Sequence, residues 1–159
     1  MHRFLREDPT VKRAIVERFG EDVLDEDGEI DRRRVAKRVF RDDEALHWLE
    51  ALLHPRVVAT YLKWREDLAK LDRPPAVSVT EVPLLYEVGG EDRFDVVVAV
   101  TAPPDVRTAR GWRPLDPREA RLLPDEEKLR RADFAYVNDG SLADLERFAS
   151  GVMAKLTRA

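Results

Sequence analysis

The chain contains no cysteine in its 159 residues. Disulfides, thiolate nucleophiles and cysteine-ligated zinc are therefore excluded. It has three histidines, and His2, His47 and His54 lack metal-ligand spacing. No metal site built from protein groups is expected. No apolar run is long enough to span a bilayer, and the start lacks the apolar stretch of a secretory signal. The expectation is a cytoplasmic chain with no membrane partner. Basic residues number 28 against 32 acidic ones, for a net charge of -4. That balance argues against general nucleic-acid binding, which wants a basic face. The seven glycines nowhere fall as G-x-x-x-x-G-K-[ST], the loop that cradles nucleotide phosphates. What the chain does have is 43% apolar and 38% charged residues, enough for one compact core under a charged surface.

Residues 10–19 place Val11, Ala14, Ile15 and Phe19 on one helical face, with Gly20 as the C-cap. Asp25-Glu26-Asp27-Gly28 reads as a turn; as a calcium loop it fails, because the glycine falls too early and no glutamate closes it. Asp31 caps a helix over 32–40 with Val35, Val39 and Phe40 inward. Asp42 or Asp43 caps a third helix carrying Leu46, Leu49, Leu52 and Leu53. His54-Pro55 is expected to break it, because proline disfavours helix at the preceding residue. A fourth helix is expected from about 56 to 71.

The pattern then changes. Residues 76–82 alternate like a strand, and Val96–Val100 is a β-branched run suited to a strand covered on both faces. A short helix over 104–110, an irregular loop over 111–118, a helix over 125–131 and a strand over 134–137 follow. The last helix spans 141–156, opened by a Ser141/Asp144 capping box, with Leu142, Leu145, Phe148, Ala149, Val152 and Leu156 as its buried stripe. Helices first, then strands alternating with helices, make an α/β protein with a helical insert at its start.

Several blocks carry a resemblance. They are AIVERFGEDVLDEDGEIDR (14–32), VFRDDEALHWLEALLHPRV (39–57), EVPLLYE (81–87), DVVVAVTAP (95–103) and EEKLRRADFAYVNDGSLADL (126–145). In this order and spacing the chain resembles the dephospho-coenzyme A kinases, minus the segment with which that family begins. The resemblance implies a P-loop kinase-like, three-layer parallel sheet with a helical substrate-domain insert, missing its first two strands. Residues 1–75 would form the helical coenzyme A-binding part. Residues 76–159 would form the remainder of the α/β core, with a short lid at about 104–124.

The implied activity is ATP-dependent phosphorylation of the 3′-hydroxyl of dephospho-coenzyme A, with dephospho-coenzyme A and ATP as partners and ATP and Mg2+ as cofactors. Transfer would be in line, with positioning and charge neutralisation supplying the catalysis. The family's P-loop lysine, its magnesium-binding Ser/Thr and the acidic residue beside the substrate hydroxyl have no counterpart in these residues. By itself, the chain is expected to be inactive. The alternatives are a start that lies upstream of Met1, a non-catalytic relic that binds a coenzyme A ligand or a partner, and a purely structural helical module.

The same resemblance places site residues. His54 falls in the substrate-handling block, where it either meets ligand or merely ends a helix. Leu84, Leu85 and Glu87 follow the 76–82 segment, at the carboxyl end where α/β sheets bind ligands; plain core packing is the alternative for the leucines. Arg110 aligns with the lid arginine, the catalytic candidate, with Arg107 and Arg113 as substitutes. Its planar fork suits phosphate; otherwise it is a solvated loop residue. Asn138 and Gly140 would lie near the nucleotide while also starting the last helix. Lys128 and Arg131 read as a solvated helical face. In the family the strand leading into the P-loop is central, flanked by the equivalents of 76–82 and 94–101. Without it these two are expected to leave the fold marginal or to close on each other, since each unpaired buried backbone group costs roughly 1–3 kcal/mol.

Overall fold

The computed structural model describes residues 2–40, 42–111 and 122–158, His2 by its backbone alone. Arg113 and all but Gly111 of the loop expected over 111–118 lie outside them. The chain divides into two compact units, Met1–Pro75 and Ala76–Ala159.

The first unit is helical: α1 (His2–Glu7), α2 (Pro9–Phe19), α3 (Arg32–Val39) and α4 (Asp43–Ala69). Aspartates set three of the starts. Asp8 accepts from the backbone N–H of Thr10 and Val11, Asp31 from Arg33 and Arg34, and Asp42 from Glu44 and Ala45. Asp25 accepts from the backbone N–H of Asp27 and Glu29 and folds the 25–28 turn, where Gly28 takes a left-handed φ of 74°. Leu5, Val11, Ile15, Val23, Ile30, Val35, Val39, Ala45 and Leu53 form one buried cluster. Phe19 meets Trp48 edge to face at 5.4 Å. Phe40 is left half exposed rather than packed inward.

The helix boundaries of this unit also depart from the sequence reading at two places. α1 is not apparent in the sequence, because six residues are too few to show periodicity; Leu5 nonetheless joins the core. The break expected at His54-Pro55 does not occur: α4 runs through Pro55 for 27 residues. Proline removes the bond to the carbonyl of Ala51 and crowds it, at a cost of about 3 kcal/mol. Burial of Leu53, 1% exposed, and packing of Leu49 and Leu52 offset that cost. Arg56 helps too, donating to the Leu52 carbonyl at 2.6 Å and pairing with Asp8 at 3.3 Å.

The second unit holds β1 (Val98–Thr101), α5 (Pro104–Ala109), α6 (Asp125–Arg131), β2 (Phe134–Val137) and α7 (Leu142–Leu156). β1 and β2 pair in parallel, Val98 opposite Phe134 and Thr101 opposite Val137. Phe134 and Tyr136 point to one face, where α7 covers them: Tyr136 stacks on Phe148 at 4.7 Å and Lys155 sits over Phe134. The capping box opens α7 as expected. Its stripe is narrower than the periodicity implies. Val152 is buried, while Leu142 is 71% exposed and Ala149 is exposed too.

The strand expected over 76–82 is not a strand. Among the described residues nothing pairs with it, so its backbone has no ladder to join. Nor does it close on β1, which pairs with β2 instead. The valine run is only partly covered; Val98 and Val100 stay exposed and Ala99 alone is buried.

Candidate active site

β1 and β2 end side by side, and the backbone N–H of Asn138 donates to the Thr101 carbonyl at 2.7 Å. Ligands in open parallel sheets lie at these carboxyl ends. A cleft of about 740 Å³ opens there, lined by Thr101, Ala102, Pro103, Pro104, Arg107, Leu122, Leu123, Pro124, Asp125, Glu126 and Val137. Arg107 pairs with Asp125 at 3.1 Å. Arg110, just past the end of α5, donates from Nη1 to the Asn138 carbonyl at 3.1 Å and from Nη2 to its Oδ1 at 3.5 Å. Arg110, expected either as the lid arginine or as a solvated loop residue, is thus tied to the end of β2.

Gly140 sits where a Cβ would lie 2.8 Å from Oδ2 of Asp144. That oxygen accepts from the Ser141 N–H and hydroxyl. The missing side chain at 140 makes room for the cap that starts α7.

Glu87 lies in the turn after the 76–82 segment. Its Oε1 accepts from Lys128 Nζ at 2.7 Å and from the Leu123 N–H at 3.1 Å. Burial alone would push this carboxyl up, but those hydrogen bonds outweigh it and hold Glu87 below the ordinary carboxylate value. One helical turn further along, Arg131 pairs with Glu91 and lies 4.6 Å from the centre of the Tyr86 ring. Burial raises the Tyr86 hydroxyl.

Comparison with known proteins settles the lineage of this arrangement. The family model of dephospho-CoA kinase (CoaE) matches residues 2–144. The chain belongs to the dephospho-CoA kinase family. It is 39% identical over 137 residues to a dephospho-CoA kinase of Thermus thermophilus, a match covering 82% of this chain and 65% of that relative. A dephospho-CoA kinase of Anaeromyxobacter dehalogenans is 40% identical over 150 residues, covering 89% and 70%. The crystal structure of TT1252 from Thermus thermophilus superposes with a TM-score of 0.68 at 36% identity, covering 91% of this chain and 76% of that one. The fold is accordingly the P-loop kinase-like α/β type. The chain spans about two thirds of the length of the curated dephospho-CoA kinases it matches.

Within this member of the dephospho-CoA kinase family, the second unit brings Arg110 and Asn138 into contact and puts Gly140 two residues on. Leu84 and Leu85 are half-buried in the turn that carries Glu87. His54 is half-buried on α4 in the first unit. Lys128 is the residue that sequence reasoning passed over. It is no solvated face residue: its side chain is 17% exposed and engaged with Glu87. No local signal in the sequence could have found it, because its partner Glu87 comes from a distant segment. Among the described residues no group of three or more acidic or histidine side chains is placed to hold a metal ion. No helix of the described residues is long and apolar enough to cross a membrane.

Proposed function

We propose that this chain is the acceptor-handling and phosphate-facing portion of a dephospho-CoA kinase, working in transfer of the ATP γ-phosphoryl to the 3′-hydroxyl of dephospho-CoA. The observation that carries the reading is the guanidinium of Arg110 held against Asn138 at the ends of two adjacent parallel strands, beside an open cleft. A planar cation there neutralises charge on transferring phosphoryl oxygens. Asn138 and Gly140 face the nucleotide. His54 in the first unit and, separately, Leu84 and Leu85 in the second serve the dephospho-CoA side; Glu87 lies in the turn that carries the two leucines.

The 159 residues contain no G-x-x-x-x-G-K-[ST] run, the loop that holds the β- and γ-phosphates in place for transfer. By itself this polypeptide is therefore inactive in transfer. The same observation favours a second reading, a relic that binds a coenzyme A ligand without turnover. Formation of coenzyme A from ATP, magnesium and dephospho-CoA separates the two. The 159-residue chain yields no product; fused behind a strand–loop–helix fragment bearing G-x-x-x-x-G-K-[ST], it does. Product from the unfused chain would overturn the assignment of the missing phosphate cradle. A folded fusion that binds both substrates without product supports the relic.

A further inference from the structure

Glu87 and Lys128 form a charged pair that is largely out of water, with side chains 13% and 17% exposed. Burying such a pair is costly, and loss of either partner strands the other's charge. Their placement is specific. Lys128 and Arg131 stand on one face of α6, and they grip Glu87 and Glu91 in parallel. Arg131 also covers the Tyr86 ring. The same Glu87 oxygen that takes Lys128 also takes the Leu123 N–H. Leu123, Pro124 and Asp125 are wall residues of the cleft, and Asp125 in turn holds Arg107 across it. A continuous line of contacts therefore runs from Glu87 through Leu123 and the start of α6 to Arg107.

We propose that Glu87 is a positioning residue: pinned by Lys128, it fixes the Leu123–Asp125 wall of the cleft and through it the place of Arg107. Its carboxylate oxygen Oε1 is committed to the protein rather than offered to a substrate. The role rests on the cleft being a phosphate-ligand site, as proposed above. Oε2 of Glu87 is buried without a protein hydrogen-bond partner.

The test compares Glu87→Ala, Glu87→Gln and Lys128→Met with the unaltered 159-residue chain. Two readouts are taken on each: hydrogen exchange at the Leu123 amide, and ATP affinity by calorimetry. A hydrogen bond to a charged group predicts that Glu87→Ala speeds Leu123 exchange about tenfold or more. Glu87→Gln keeps an acceptor and should restore most of that protection. ATP affinity should fall in Glu87→Ala and in Lys128→Met, and recover in part in Glu87→Gln. Unchanged Leu123 exchange in a folded Glu87→Ala chain would overturn the proposal, as would loss of protection with wild-type ATP affinity. Should Glu87→Ala fail to fold, Lys128→Met decides, and unchanged ATP affinity there overturns it. If the unaltered chain shows no ATP binding, the phosphate-site reading fails and the positioning role falls with it; the Leu123 exchange result shows that case to be distinct from a failed clamp.

Discussion

Replacing Pro55 by alanine should stabilise the first unit. In the structure α4 passes through Pro55 without a break, so the helix lacks one bond to the Ala51 carbonyl and bears the ring clash there. Proline in a helix interior is about 3 kcal/mol worse than alanine. Proline also restricts the unfolded chain, and losing that restriction gives back about 0.4–1 kcal/mol. The net gain is then about 2 kcal/mol. For a unit of this size that corresponds to a rise on the order of 10 °C in melting temperature. The assay is urea and thermal unfolding followed by circular dichroism, wild type against Pro55→Ala. A lower or unchanged stability would refute the reasoning. It would mean that the chain turns at His54-Pro55, as the residues alone suggest, and that the proline sets the direction of that turn.

Other perturbations bear on the same fold. Leu53 is almost fully buried in the first core, and Leu53→Ala should cost about 2–5 kcal/mol in a urea titration. Ser141→Ala should cost about 1 kcal/mol by removing one half of the cap on α7. The Ser141 hydroxyl and N–H hold Asp144 below the ordinary carboxylate value. A depressed folded value means stability that is present above the unfolded value of 3.8 and lost as pH falls through the lower folded one. Stability measured from neutral pH down to acid should therefore drop in that window, and Asp144→Asn should flatten the drop; an unaltered slope would count against the cap.

Much of the architecture was legible because its causes are local. Asp31, Asp42 and Ser141 announce helix starts by their side-chain chemistry, and Val11, Ile15, Val35 and Val39 announce their inward faces by spacing. What was illegible depends on partners distant in sequence. Alternation over 76–82 predicts a strand, but a strand exists only where another supplies its hydrogen bonds. Pro55 predicts a break, but Leu53 and Arg56 hold the helix together through contacts with other segments. The site divides the same way. Arg110 and Asn138 were found through family motifs, while their contact, 28 residues apart, needed the fold. Lys128 reads as a surface residue because its helix looks amphiphilic and charged, and nothing local says that Glu87 lies against it.

The most direct test of the account is a calorimetric titration of dephospho-CoA into the 159-residue chain. The account predicts saturable heat with one site. That heat should weaken in His54→Ala and stay unchanged when the exposed Arg3 is replaced by alanine. Absence of heat up to ligand concentrations of about 1 mM, where even an interaction of about −4 kcal/mol is half saturated, would contradict it.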